Sequence, residues 1–167
     1  VGIAVAITTV AVFLLGEWLR TRSTAFEAVL LRMLGVMMTP EERRHRRTIQ
    51  PNGATWAMIA VLAALVLFPT MIGIASVLIL AVGDPVAALV GRGYGRVRLG
   101  SKTLEGSIAF FFSSLLTVLL VTPLSFGLAA IGCVSAMLLE VLPIPGSDNV
   151  RIVLAAGLAM TIVWWLM

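Results

Sequence analysis

Apolar residues in this chain come in long unbroken runs, not at the spacing of a one-sided helix or an alternating strand. A helix crossing a bilayer needs about 17–25 mostly apolar residues. Six runs reach or approach that length, at 1–18, 54–69, 71–90, 104–121, 124–142 and 150–167. Pro69-Thr70 and Thr122-Pro123 are the only breaks between their neighbours, which predicts two tight helical hairpins. The remaining connections are 19–53, 91–103 and 143–149. The reading is an all-α polytopic membrane protein of about six transmembrane helices, a single domain over 1–167. Short cytoplasmic helices lie between the first two spans. Thr24-Ala25-Phe26-Glu27 and Thr39-Pro40-Glu41-Glu42 match the capping-box pattern. They start a short apolar helix at about 25–38 and a basic one at about 40–49.

Composition agrees. Of the 167 residues, 60% are hydrophobic and 12% charged, against roughly 45–50% and 25% in soluble domains. So much apolar surface cannot be hidden from water in a chain of this size, which excludes a water-soluble enzyme, a nucleic-acid-binding domain and a disordered protein. No nucleic acid is expected as a partner. The lone Cys133, in an apolar run, builds neither a disulfide nor a thiolate metal site. The chain opens on Val1 inside an apolar run, so an upstream span is a reasonable expectation. Residues 1–15 lack the basic start of a signal peptide.

Charge then sets sidedness. Arg20, Arg22, Arg32, Arg43, Arg44, Arg46 and Arg47 fall on the first connection, and Arg92, Arg96, Arg98 and Lys102 on the second. Arg151 adjoins the third. With six spans these connections share one face, which the positive-inside rule makes cytoplasmic, with both termini outside. The expected location is the cytoplasmic membrane, with the active site facing the cytoplasm.

Polar residues inside apolar runs carry the candidate chemistry. Asp84 follows thirteen apolar or small residues and precedes Gly91 by seven positions, roughly 10 Å below the cytoplasmic edge at about 1.5 Å per residue. A carboxylate at that depth is costly unless water, a cation or a metal compensates it, and intramembrane acids default to function. Gly83 and Pro85 flank it, so the helix is expected to loosen there. Ala88, Gly91 and Gly95 suit either close helix packing or backbone approach by a ligand. The connection from Gly91 to Thr103, with Arg92, Arg98 and Lys102, reads as a flexible glycine-rich cationic loop suited to an oligophosphate. It lacks the spacing of a P-loop and the strand of a dinucleotide fold. Glu105, Glu140 and Asp148-Asn149 come to the same face. Four acids beside that loop suit Mg²⁺ and a nucleotide, because hard cations take carboxylate oxygens. His45, among arginines, reads as a solvated residue.

The run Gly83-Asp84-Pro85-Val86-Ala87-Ala88-Leu89-Val90-Gly91-Arg92-Gly93-Tyr94-Gly95, then Lys102-Thr103-Leu104-Glu105-Gly106-Ser107, resembles the CTP-dependent lipid kinases: dolichol kinase, phytol kinase and the CTP-using diacylglycerol kinase. Glu140 and Asp148-Asn149 match that family's late acid and Asp-Asn pair. Arg46-Arg47-Thr48 with Asn52-Gly53-Ala54 match its early basic segment more loosely. His45 departs from the family's early Arg-Lys-x-x-His spacing, and many members are longer.

The resemblance implies transfer of the γ-phosphoryl of CTP to the hydroxyl of a lipid alcohol: a polyprenol, a phytol-like alcohol or diacylglycerol. It implies Asp84, Lys102 and Glu105 as catalytic residues. Nucleotide contacts would come from Gly83, Gly91, Arg92, Gly95, Arg98, Lys102, Thr103, Gly106, Arg47 and Asn52. Asp84, Glu140, Asp148 and Asn149 would hold Mg²⁺ or another divalent cation. Six short helices also leave a homodimer open. Two alternatives stand beside this reading. One is phosphatidate cytidylyltransferase, whose Lys-Asp and His-Gly-Gly elements do not occur here. The other is a small transporter or assembly subunit with Asp84 as a coupling-ion site, which predicts polar residues on both sides of the midplane.

Overall fold

The computed structural model describes residues 2–23, 53–142, 144 and 146–167. The helices expected at 25–38 and 40–49, together with His45, Arg47 and Asn52, lie outside the described residues. The chain divides into two compact units, residues 1–59 and 60–167.

In the first unit, α1 (Gly2–Arg22) is a continuous helix. Thr8 and Thr9 turn their hydroxyls onto the carbonyls of Ala4 and Val5, so neither leaves an unsatisfied donor on an apolar surface. The Arg22 guanidinium lies 5.3 Å from the centre of the Trp18 ring, within cation–π range. Helix α2 (Gly53–Leu67) starts in this unit and ends in the second.

In the second unit, α3 (Thr70–Leu78) passes through a π-helical turn (Ile79–Gly83) into α4 (Asp84–Tyr94). A two-residue hairpin follows, β1 (Arg98–Leu99) and β2 (Lys102–Thr103), with Leu99 opposite Lys102. Then come α5 (Leu104–Val121), α6 (Phe126–Val141) and α7 (Asp148–Leu166). All described apolar runs are helical where the sequence places them. Three helical stretches are long and apolar enough to cross a membrane, by length and composition: Thr70–Tyr94, Leu104–Val121 and Asp148–Leu166. Ala4–Leu19, Gly53–Leu67 and Phe126–Val141 are shorter apolar helices.

The core of the second unit joins Ile72, Ala75 and Ile79 to Phe110, Val118, Cys133, Ala136, Ile152 and Met160. Helices α6 and α7 pack along much of their length, as do α4 and α5. Small residues allow this closeness. A Cβ on Gly106 would stand 2.9 Å from the Ala87 carbonyl oxygen, and one on Gly91 2.8 Å from Thr103 Oγ1. Outside that core the surface is strongly apolar, with Leu89, Phe112, Leu116, Leu120, Leu158 and Ile162 exposed. A helical body dressed this way is stable in lipid and unfavourable in water.

The structure corrects one expectation. Residues 91–103 are not a flexible loop, because α4 runs on to Tyr94 and the hairpin takes 98–103. Arg92 Nε donates to the Ala88 carbonyl at 3.0 Å, and the glycine backbone of α4 is clasped by Thr103 and Gly106 of the next element. Gly100, with φ of +64°, supplies the left-handed residue that a tight hairpin turn favours.

Candidate functional site

Thr103 organises the entry to α5. Its Oγ1 accepts from the Gly106 amide at 3.2 Å, its carbonyl accepts from the Ser107 hydroxyl, and Leu104 N–H reaches the Val97 carbonyl at 2.9 Å. A threonine N-cap of this kind holds the first helical turn. It also leaves little slack at Lys102, one residue earlier on β2.

Three acids from three helices converge on that lysine. Lys102 Nζ is 2.9 Å from Glu140 Oε1, 3.3 Å from Asp148 Oδ2 and 3.8 Å from Asp84 Oδ1. Glu140 comes from the end of α6, Asp148 from the first turn of α7, and Asp84 from the first residue of α4. Their settings differ. The Glu140 side chain is 2% exposed, Lys102 26%, Asp84 35% and Asp148 39%. Glu140 Oε2 is buried and has no hydrogen-bond partner among the described residues. A half-satisfied buried carboxylate is expensive.

Arg151 adds a second cation. It pairs with Asp148 across one helical turn and donates to the Ile144 carbonyl. Its i, i+3 spacing from Asp148 was the available sequence signal for this pairing, which sequence reasoning passed over.

Beside the lysine lies a cavity of about 570 Å³, lined by Ala87, Ala88, Gly91, Arg92, Gly95, Arg98, Ser101, Lys102, Thr103, Gly106, Ser107 and Glu140. That volume lies within the range of small-molecule sites. Its walls carry three cations, three hydroxyls and bare glycine backbone, a lining suited to phosphate oxygens. Gly91, Arg92, Gly95, Arg98, Lys102, Thr103 and Gly106, all expected to contact a nucleotide, thus line one space. Ser101 and Ser107 join them unannounced.

Gly83 and Glu105 line neither this cavity nor the carboxylate cluster around Lys102. Gly83 lies under α5, where a Cβ would run into Ser114 Oγ and the Phe110 ring. Glu105 accepts from the Val97 amide with both carboxylate oxygens at 3.3 Å and lines a separate recess with Gly93, Tyr94, Gly95 and Arg96. Its evident work is to pin the approach to the hairpin. Asn149 follows Asp148 in the first turn of α7.

Among the described residues no three Asp, Glu, His or Cys side chains stand close enough, as placed, to hold a metal ion. Glu140, Asp148 and Asp84 nonetheless have the donor chemistry of a hard-cation site. The orphaned Glu140 Oε2, on a residue lining the cavity, is a buried acceptor still owed a partner.

No family model matches the chain, and no solved structure matches it. It is similar to "Uncharacterized protein RP860" of Rickettsia prowazekii (strain Madrid E), with 32% identity over 127 residues. That alignment covers 72% of this chain, and the chain spans 62% of the relative's length.

Proposed function

We propose that this chain is a membrane-embedded phosphotransferase that moves the γ-phosphoryl of CTP onto the hydroxyl of a lipid alcohol at the cytoplasmic face of the cell membrane. The observation that carries this reading is the meeting of Lys102 with Glu140, Asp148 and Asp84 beside a cation-lined cavity, at one end of an apolar helical body. The match of the Gly83–Gly95 and Lys102–Ser107 segments to the CTP-dependent lipid kinases supports it, and the choice of CTP rests on that resemblance alone.

Phosphoryl transfer asks a protein mainly for positioning and charge stabilisation. In this reading Lys102, Arg92 and Arg98 neutralise phosphate oxygens, while Gly91, Gly95 and Gly106 let the nucleotide approach the backbone. The lipid hydroxyl arrives laterally and meets Asp84, whose oxygen left free by the cation orients it and takes its proton. The hydroxyl oxygen bonds to the γ-phosphorus as the bond to the β–γ bridging oxygen breaks, and CDP leaves. Glu140 and Asp148, with Asp84, would hold a divalent cation, which supplies further charge neutralisation on the phosphates.

The test gives the purified protein CTP carrying distinguishable α and γ labels, with Mg²⁺ and a mixed lipid-alcohol extract. The γ label alone should enter lipid. The α label in lipid, with pyrophosphate released, would make the protein a cytidylyltransferase. No label in lipid from a folded sample, with phosphatidate also supplied, would favour a transporter or assembly subunit.

A further inference from the structure

Eleven of the chain's twelve cationic residues are arginine, and the single lysine is Lys102. It is also the cation that three carboxylates surround. Arginine would have offered a rigid planar fork able to grip two of those acids at once. Lysine offers a compact point charge on a flexible stem, held by charge more than by shape. The contacts are graded accordingly, with a hydrogen bond to Glu140 and looser approaches to Asp148 and Asp84.

Charge counting sharpens the point. Among the described ion pairs, the carboxylates of Asp84, Glu140 and Asp148 face the ammonium of Lys102 and the guanidinium of Arg151, which leaves one negative charge over. Without the ammonium there would be two, the complement of a divalent cation. The second carboxylate oxygen of buried Glu140 has no partner among the described residues while Lys102 sits there, so the ammonium satisfies the cluster only in part. Oxygen ligands sit about 2.1 Å from Mg²⁺. A cation at the lysine's position would draw Glu140 in by roughly 1 Å and Asp84 by nearly 2 Å, leaving no room for an ammonium. Lys102 also lines the cavity that holds Arg92 and Arg98, so a second seat lies within reach of its stem.

We propose that Lys102 and a divalent cation exchange for one seat. In the resting protein the ammonium occupies the centre of the Asp84–Glu140–Asp148 cluster. When the cation enters, Lys102 vacates the cluster and turns into the adjoining cavity, where its charge serves an anionic ligand. The inference rests on the reading of these acids as cation ligands. It adds that the lysine arms the anion site only once the cation has arrived.

Because the chain has one lysine, amine acylation followed by peptide mass spectrometry reports on Lys102 alone among the side chains. The full protein in lipid nanodiscs, without nucleotide, is treated with a small acylating reagent with and without Mg²⁺, against KCl at matched ionic strength. Mg²⁺ should speed acylation of Lys102 at least fivefold over KCl. In parallel, Mn²⁺ binding is followed by loss of the free-ion spin-resonance signal. Lys102→Met should bind Mn²⁺ at least tenfold more tightly than the unsubstituted chain. Glu140→Gln and, independently, Asp148→Asn should weaken binding with or without Lys102→Met. Mn²⁺ binding with unchanged or slower Lys102 acylation would overturn the exchange and leave the cation reading standing. No Mn²⁺ binding to either the unsubstituted chain or Lys102→Met would overturn both.

Discussion

Asp84 and Glu140 carry the same charge in different surroundings, and the difference sets what each substitution does. Asp84 is one-third exposed and touches Lys102 only at 3.8 Å, so Asp84→Asn should fold and insert normally. Under the proposed role it should lower γ-phosphoryl transfer by at least about 100-fold, the scale of a lost general base; near-normal turnover by a folded sample would remove Asp84 from that role. Glu140 is buried with one oxygen unsatisfied, in a cluster where acids outnumber cations. Breaking a buried ion pair usually destabilises, but here Lys102 keeps Asp148 and Asp84. Glu140→Gln should therefore unfold within about 1 kcal/mol of the unsubstituted chain, or later, by denaturant titration in detergent. That Asp84 stands out was legible in sequence, because an acid after thirteen apolar or small residues needs a reason. That Lys102 is the hub was not legible, since its three partners lie 18, 38 and 46 residues away, and their meeting depends on how α4, α6 and α7 pack.

At the scale of elements, the π-helical turn and the α4–α5 seam decide where the site residues fall. A π-turn is unstable without outside help, and α5 supplies some: Ser114 Oγ donates to the Ile79 carbonyl at 3.4 Å, and Phe110 lies flush against Gly83. Gly83→Ala should cost about 1–3 kcal/mol through overpacking. Ser114→Ala in the same chain should recover only part of that, since the Phe110 ring remains 2.8 Å from the added Cβ. Gly93→Ala is the contrast. Its Cβ would meet nothing within 4 Å, so the helix should gain roughly 0.5–1 kcal/mol. Thermal unfolding of the three variants in one detergent checks the order. The helices themselves were legible from the apolar runs, and Gly83 with Pro85 hinted at a loosened helix. The hairpin was not, because two-residue strands leave no periodicity to read, and its stability comes from Thr103, Gly100 and Glu105 acting together.

For the molecule as a whole, the charged groups of the second unit gather at one of its ends and the exposed tryptophans at the other. Asp148 opens α7 and Trp164 lies sixteen residues later, about 24 Å along the axis. Paired tryptophans at that distance suit the opposite lipid interface. Sidedness can be measured directly because the only cysteine, Cys133, is buried. On a Cys133→Ala background, Ser101→Cys should react with a membrane-impermeant maleimide only from the cytoplasmic side, and Met167→Cys only from the other. The reverse pattern would invert the topology. The one-sided distribution of cations in the sequence is what predicts this orientation. The depth of the cavity beside Lys102 was not legible there, since it depends on how closely Gly91 and Gly106 bring two helices together.

The five-residue turn at Ile79–Gly83 has one more consequence, for how this chain tolerates length change. A π-turn is an α-helix carrying a supernumerary residue. Deleting one residue there would let the backbone relax into an uninterrupted α-helix, gaining regularity. Because the wide turn absorbs the extra residue locally, the helix beyond it would keep nearly its phase and Asp84 would stay near Lys102. The same deletion in a regular helix such as α7 would turn everything beyond it by about 100°. The irregularity thus works as slack in the chain, a stretch where the loss of one residue is absorbed, while the same loss in regular helix displaces all that follows.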